Sequence, residues 1–142
     1  MTTARELMTP DAHCARTDET VATVAARMRD LGVGSLPICG EDQRLHGVVT
    51  DRDIVVGCVA DGKDPSQVLV AEFCGEEPVT IGADDDASEA LRTMMDHDVR
   101  RLPVIDGHEL VGMLSQADVA RAMPEDEVGR MLAAVSAPPS NA

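Results

Sequence analysis

The chain has 142 residues, of which 44% are hydrophobic and 27% are charged, a composition typical of one globular domain or of two small repeats. Its 12 Lys and Arg residues against 26 Asp and Glu residues give a net charge of −14, which repels nucleic acid backbones and anionic lipid. One Phe and no Trp or Tyr leave no aromatic platform on which single-stranded bases could stack. We therefore expect neither a nucleic acid nor a membrane surface as a partner.

No stretch approaches the roughly 20 apolar residues that a membrane-spanning helix needs, and the first eight residues lack the apolar segment of a signal peptide. We therefore expect a cytoplasmic protein. The short motifs of serine hydrolases, P-loop proteins, dinucleotide-binding folds and zinc proteases are absent from the sequence. We accordingly expect that the protein is not an enzyme.

The pattern of the first half predicts a β-α-β-β-α unit. Residues around Cys14 form a short extended segment, and Asp18 is the expected N-cap of the helix that follows. Apolar residues then recur at helical spacing up to Leu31, and Gly32 can adopt the left-handed conformation that ends a helix. Two apolar runs separated by a polar turn predict a hairpin. Its strands are Ser35–Cys39 and Leu45–Val49, and a second helix covers about residues 51–60.

The second half predicts the same order of elements. An extended segment near Val79–Ile81 precedes a helix that begins beside aspartates 84–86, where carboxylates stabilise the positive end of a helix dipole. Asp106 and Gly107 form a turn between two apolar runs, which is a strong hairpin signal. The strands are Arg101–Ile105 and Leu110–Leu114, followed by helices near 116–122 and 125–135 and a disordered tail over 137–142.

Comparison of the chain with itself indicates an internal duplication. Residues 4–39 align with residues 70–105 at an offset of 66, so that Pro37 falls on Pro103. A turn that is one residue shorter in the second copy changes the offset to 65, and Gly47 then falls on Gly112. One gap of one residue across about sixty aligned positions is typical of two copies of one unit.

We therefore predict an α/β protein with mixed sheets, in which two β-α-β-β-α repeats are packed sheet to sheet with pseudo-twofold symmetry. One repeat of this size cannot cover its own sheet, and a second copy supplies the missing cover. The first repeat spans residues 1–62, a linker spans 63–69, the second repeat spans 70–124, and the last helix and tail span 125–142.

Two segments in each copy show a resemblance to a known family. They are Leu36–Cys39 and His46–Ile54 in the first copy, and Val99–Ile105 and Val111–Val119 in the second. In these segments, and over about residues 4–123 as a whole, the chain resembles a tandem pair of CBS domains. The resemblance implies a regulatory module that often forms a homodimer and binds an adenosine compound in clefts between its repeats. AMP, ADP and ATP come first among these ligands, and NAD and S-adenosylmethionine follow.

The resemblance places the ligand contacts on polar residues at the end of each hairpin. Asp53 and Asp118 stand where the family has a carboxylate, which can accept hydrogen bonds from both hydroxyls of a ribose. Thr50 and Ser115 lie three residues earlier, where a hydroxyl and free backbone N–H groups can face a phosphate.

The two copies differ in charge at this place. Arg100 and Arg101 occupy a position that often faces phosphate in the family, whereas Gly34 and Ser35 stand at the corresponding position of the first copy. Asp51 adds a further negative charge in the first copy. We expect at most one strong site, or two weak ones, and AMP or an uncharged adenosine group rather than a triphosphate.

The same residues also have a purely structural interpretation. Thr-x-x-Asp and Ser-x-x-Asp are capping-box patterns, in which the two side chains bond the backbone N–H groups at a helix start. On this interpretation the protein binds no ligand and is a dimeric interaction or stress-response protein. We favour an adenosine sensor that signals through dimer contacts or through a protein partner that the sequence does not identify.

The cysteines allow two interpretations. Cys14 and Cys39 lie on strands that a β-α-β unit makes parallel neighbours, so that a disulfide between them is possible. Two thiols in a reducing cytoplasm are the interpretation that we favour. His13 and His46 lie near these cysteines in the sequence, but the spacing matches no zinc pattern, and we expect no metal site.

Overall fold

The computed structural model describes residues 2–10, 13–75 and 77–135, so that the predicted tail lies outside the described residues. Two mixed sheets with helices confirm the predicted α/β tandem-repeat fold. The chain divides into two compact units. The repeat-1 unit is Ala12–Pro78, and the repeat-2 unit is Met1–Asp11 together with Val79–Ala142.

The elements of the first half match the predicted order. β2 and β3 are parallel, and β3 and β4 are antiparallel, which gives a three-stranded sheet in the order β2-β3-β4. In chain order the elements are α1 (Ala4–Leu7), β1 (Thr9–Pro10), β2 (Ala15–Arg16), α2 (Val21–Leu31), β3 (Ser35–Cys39), β4 (Leu45–Thr50), α3 (Asp51–Ile54), a π-helical turn (Val55–Val59) and a 3-10 helix (Val70–Phe73).

The second half forms a four-stranded sheet in the order β1-β7-β6-β5, in which β1 is contributed by the start of the chain. β5 and β6 are parallel, and β6 and β7 form the predicted antiparallel hairpin. The elements are β5 (Ile81–Gly82), α4 (Ala87–His97), β6 (Arg101–Asp106), β7 (Glu109–Ser115), α5 (Gln116–Ala122) and α6 (Glu125–Val135).

The helix ends follow local capping chemistry, with one difference from prediction. Thr20, and not Asp18, is the N-cap of α2, and its hydroxyl oxygen accepts a bond from the backbone N–H three residues later at 3.2 Å. The Asp18 prediction was wrong because residues 17–18 turn the chain before the helix begins. Gly32 ends α2 with a φ of 69°, as predicted, and Asp86 caps α4.

The helix predicted over residues 51–60 is shorter than expected. It leaves α-helical geometry after Ile54, and the N–H of Ala60 donates to the carbonyl of Val55, which is the spacing of a π-helix. A Cβ at Gly57 would lie 2.9 Å from the ring of Phe73, so the glycine leaves room for that ring. The corresponding helix of the second repeat, α5, is α-helical over 116–122 as predicted.

Each compact unit includes the segment that begins the other repeat. In the repeat-2 unit, Thr3 forms an isolated β-bridge with Asp86. In the repeat-1 unit, Leu69 forms the equivalent bridge with Thr20. Leu69 lies 66 positions after Thr3, and Thr20 lies 66 positions before Asp86, which is the offset of the sequence repeat. The sequence repeats and the compact units therefore divide the chain at different positions.

The packing of each of these segments explains why both copies have a glycine at the equivalent position of the second hairpin strand. A Cβ at Gly112 would lie 2.6 Å from the carbonyl oxygen of Thr9 on β1. A Cβ at Gly47 would lie 3.3 Å from the Cα of Cys74, which directly follows the 3-10 helix Val70–Phe73. Both positions need a residue without a side chain because another backbone approaches closely.

Each unit has its own apolar core, in which the helical stripes face the sheet. On α4 the apolar residues at helical spacing, Ala87, Ala90, Leu91 and Met94, are buried, whereas Leu31 at the end of the α2 stripe is 40% exposed. Among the residues that the structure describes, no helix has both the length and the apolar character that crossing a bilayer requires. The largest fully buried side chains include Val21, Val24, Ile38 and Val49 in the repeat-1 unit, and Met94, Leu102, Leu114 and Met131 in the repeat-2 unit.

Candidate functional site

Thr50 and Asp53 hold each other in a fixed arrangement at the start of α3. The backbone N–H of Thr50 donates to Asp53 Oδ2 at 2.9 Å, and the backbone N–H of Asp53 donates to Thr50 Oγ1 at 3.0 Å. This is a complete capping box. Asp53 is half-buried, and no described residue donates a hydrogen bond to its second oxygen, Oδ1. The cap therefore orients the carboxylate and leaves one oxygen available as an acceptor.

Ser115 and Asp118 form the same capping box at the start of α5. The backbone N–H of Ser115 donates to Asp118 Oδ2 at 2.9 Å, and the N–H of Asp118 donates to Ser115 Oγ at 3.2 Å. Asp118 is buried, with 8% of its surface exposed. Its second oxygen, Oδ1, accepts a hydrogen bond from Arg121 Nη2 at 2.6 Å. Both oxygens of this carboxylate therefore have partners within the chain.

The predicted arginines lie at the same end of the second hairpin as this capping box. Arg101 is exposed and lies opposite Ser115 in the register of β6 and β7. The carbonyl of Arg100 accepts a hydrogen bond from the backbone N–H of Gln116 at 2.8 Å. The structure thus brings the four predicted residues of the second copy together within the repeat-2 unit.

The first copy has the same backbone arrangement without the arginines. Ser35 lies opposite Thr50 in the register of β3 and β4, and the carbonyl of Gly34 accepts a bond from the N–H of Asp51 at 2.9 Å. A Cβ at Gly34 would lie 3.2 Å from a carboxylate oxygen of Asp51. The position that is basic in the second copy is therefore beside a negative charge in the first.

Two residues near the second capping box were not predicted from the sequence. Arg121 lies three residues after Asp118, and this helical spacing is the signal that could have indicated their ion pair. Gln116 Oε1 is buried without a hydrogen-bond partner among the described residues. No pattern in the sequence indicates such an unpaired acceptor, because its burial depends on tertiary structure.

Cys14 and Cys39 form a disulfide, with their Cα atoms 5.7 Å apart. The interpretation as two thiols, which the sequence favoured, is therefore wrong. The short parallel pairing of β2 with β3 matches Ala15 with Ile38 and so places the two cysteines side by side. Among the described residues, the remaining cysteines, 58 and 74, are free.

A partly buried ion pair also holds the segment that contains Cys14. Arg27 on α2 donates to the carbonyl of Cys14 at 3.1 Å and forms a two-pronged salt bridge with Glu19. Glu19 also accepts a hydrogen bond from the backbone N–H of Arg16 at 2.8 Å. The hydrogen bond from Arg27 is the main cause that lowers the pKa of Glu19, and the backbone bond adds to it. The strand β2 is thus fixed by pairing, by the disulfide and by this clamp.

The comparisons with known proteins agree with the repeat architecture. The CBS domain family matches residues 4–58 and 70–125, and the chain belongs to this family. It is 41% identical to hypoxic response protein 1 of Mycobacterium tuberculosis over 138 residues, which cover 97% of this chain and 96% of that protein.

Solved structures show the same fold. The structure of Hypoxic Response Protein I with two coordinated zinc ions is 43% identical, with a TM-score of 0.80, and the match covers 87% of this chain and all of that one. The structure of CBSX2 in complex with AMP is 24% identical, with a TM-score of 0.72, and the match covers 84% of this chain and 94% of that one. At this lower identity the likeness shows the fold alone.

The residues of this chain do not match a zinc site within the described segments. No group of three or more His, Cys, Asp or Glu side chains is arranged there to hold a metal ion. The disulfide removes Cys14 and Cys39 as thiolate ligands, and the Nε2 atom of His46 lies 3.9 Å from Asp42 Oδ1. We therefore derive no function for this chain through a metal.

Proposed function

We propose that this CBS-domain protein is a sensor of an adenosine ligand, in which Asp53 accepts hydrogen bonds from the ribose. The observation that supports this most is Asp53 Oδ1, which accepts no hydrogen bond from the residues that the structure describes, on a carboxylate whose other oxygen is fixed by Thr50. An acceptor that is already oriented loses little conformational entropy when a ligand binds. Hydrogen bonds to a charged group contribute about 1.5–3 kcal/mol each.

The relatives support this choice of ligand class. A CBS protein of the same fold is described in complex with AMP. The capping boxes of this chain stand at the two positions where the family resemblance places the ribose carboxylate, and Thr50, Ser115, Arg100 and Arg101 are the proposed phosphate contacts. NAD and S-adenosylmethionine contain the same ribose and remain weaker candidates.

Charge favours a ligand with few phosphates. The net charge of −14 and the carboxylate of Asp51, directly after Thr50, both oppose a triphosphate near the first capping box. We therefore expect AMP, or an uncharged adenosine group, to bind more tightly than ATP.

Signalling is proposed to pass through contacts with a second copy or with a protein partner. The π-helical turn exposes Val55, Val56 and Val59 at 57%, 50% and 58% of their surfaces, and clustered apolar side chains on a surface mark an interaction site. A second copy is the occupant that the family resemblance implies. A ligand then acts by binding one arrangement of the assembly more tightly than another.

The alternative function is a ligand-free interaction or stress-response protein. Both capping boxes are complete, so each Thr/Ser and Asp pair has a structural role without any ligand. The similarity to hypoxic response protein 1 is compatible with either function.

Thermal unfolding with AMP, ADP, ATP, NAD and S-adenosylmethionine separates the two functions. A ligand at a hundred times its Kd should add about 2.7 kcal/mol to the free energy of unfolding. Asp53→Asn should abolish the shift and keep the cap, because the amide oxygen can still accept from Thr50 while an NH₂ group replaces Oδ1. Asp51→Asn is the matched control, which removes a nearby charge and should keep the shift. If no adenosine compound stabilises the wild type, the ligand-free function is correct.

Light scattering tests the assembly. We expect a dimer for the wild type and a monomer for Val55→Lys, which places a charge on the exposed valine face. Leu132→Lys on α6, at a residue 43% exposed, is the control that should remain dimeric. A monomeric wild type would contradict the proposed homodimer.

A further inference from the structure

We infer that the chain binds one ribose, at Asp53, because Arg121 closes the equivalent carboxylate at Asp118. This inference rests on the proposed function and adds to it the number of sites and the residue that sets that number. It depends on the different states of two carboxylates that the sequence repeat makes equivalent.

Asp53 and Asp118 differ at Oδ1, the carboxylate oxygen that takes no part in the capping box. Asp118 Oδ1 is paired with Arg121 Nη2 at 2.6 Å, and the Asp118 side chain is only 9% exposed. Asp53 is more exposed than Asp118, and its Oδ1 receives no hydrogen bond from the described residues. A ribose hydroxyl can therefore approach Asp53 directly, whereas at Asp118 it must first displace a guanidinium.

The difference has a simple origin in the sequence. The residue three positions after Asp118 is Arg121, and the residue three positions after Asp53 is Val56. Side chains at this spacing are neighbours on a helix surface, so an arginine reaches the carboxylate and a valine offers it no donor. The Arg121 side chain is 72% exposed, so it reaches the buried Asp118 carboxylate from the surface of the helix.

Displacement of Arg121 opposes binding. A neutral hydroxyl would replace a charge-paired donor on a buried carboxylate, and hydrogen bonds between two charged groups are the stronger kind. The same hydroxyl at Asp53 displaces no protein group among the described residues. The repeat-2 carboxylate is thus a structural group, and the repeat-1 carboxylate is the binding group.

Isothermal titration of the full chain with AMP tests this inference. We expect one site per chain in the wild type, a loss of about tenfold or more in affinity in Asp53→Asn, and unchanged affinity in Asp118→Asn. Arg121→Ala should raise the stoichiometry from one to two. Arg92→Ala removes a similar exposed arginine from a helical ion pair and should leave one site. The variants are compared only after circular dichroism shows the wild-type spectrum.

A second probe identifies the group that is recognised. 2′-Deoxy-AMP lacks one of the ribose hydroxyls and should bind the wild type about tenfold more weakly than AMP. Two equal sites in the wild type, loss of the single site in Asp118→Asn, or a single site in Arg121→Ala would each overturn the inference while leaving the proposed function in place. Absence of binding in both the wild type and Arg121→Ala would overturn the proposed function itself.

Discussion

Replacement of Cys14 by serine should remove the disulfide and destabilise the protein by a predictable amount. Cys14 and Cys39 are 25 positions apart, and the loss of the cross-link restores the freedom of that loop in the unfolded chain. The chain-entropy relation gives about 3.5 kcal/mol for a loop of this size. For a chain of this length, such a change corresponds to a fall in Tm of about 10 °C. Cys14 is half-buried, so that the serine hydroxyl adds little strain of its own.

Urea denaturation of the wild type and Cys14→Ser, each with and without a reductant, measures this contribution. The wild type should lose about 3.5 kcal/mol on reduction, and Cys14→Ser should be insensitive to the reductant. Cys74→Ala removes a free cysteine and should keep the wild-type sensitivity. Thiol titration of the denatured, unreduced wild type should find two of the four cysteines. Four reactive thiols, or a stability that reduction does not change, would show that Cys14 and Cys39 are not cross-linked in the folded protein.

Three further predictions follow from local contacts. Gly112→Ala should destabilise the protein by about 1–3 kcal/mol because its Cβ would lie 2.6 Å from a backbone oxygen of β1. Gly129→Ala in α6, where nothing lies within 4 Å, should be neutral or stabilising in the same urea assay; equal effects would contradict the proposed contact. Arg27 lowers the pKa of Glu19 in the folded protein below its ordinary 4.5. The stability that ionised Glu19 contributes is therefore complete above pH 4.5 and is lost as the pH falls through the lower pKa of the folded state. Glu19→Gln should weaken the fall in unfolding free energy at acid pH. An unchanged pH dependence would contradict a stabilising ion pair between Arg27 and Glu19. Gln116→Met removes a buried acceptor that has no partner in the described part of the chain, and it should raise the ligand-free stability by about 1 kcal/mol; a clear loss would show that the oxygen has a donor.

The repeat and its elements could be predicted from the sequence because their signals are local. The offset of 66, the helical stripe of α4 and the Asp106-Gly107 turn each depend on residues close together in the chain. The capping boxes were also visible, since Thr50 and Asp53 are three positions apart. These signals were enough to predict the fold and the two capping boxes on which the candidate site is built.

Two of the features that were missed depend on segments distant in sequence, and a third depends on a local turn. The placement of residues 2–10 in the repeat-2 unit follows from pairing with β7 and with Asp86, which no local pattern indicates. The disulfide required the register of β2 on β3 and could only be stated as possible beforehand. The N-cap of α2 was placed two residues early because Asp18 and Thr20 are both good caps, and the turn before the helix decides between them.

The difference between the Asp53 and Asp118 carboxylates could be predicted only in part from the sequence. The Asp118 and Arg121 spacing was present in the sequence, but the pairing matters only because Asp118 is buried and its other oxygen is used by the cap. Because Asp118 is buried and capped, its ion pair with Arg121 occupies the one carboxylate oxygen that the cap leaves, and this distinguishes the second copy from the first.

The adenosine site is tested most directly by titrating the isotope-labelled full chain with AMP and following the backbone amide signals by NMR. We predict saturable shifts of the Thr50 and Asp53 amide signals that are larger than any shift of the Ser115 and Asp118 amide signals. If all four amide signals stay in place at millimolar AMP, the chain has no adenosine site at its capping boxes and the claim is wrong.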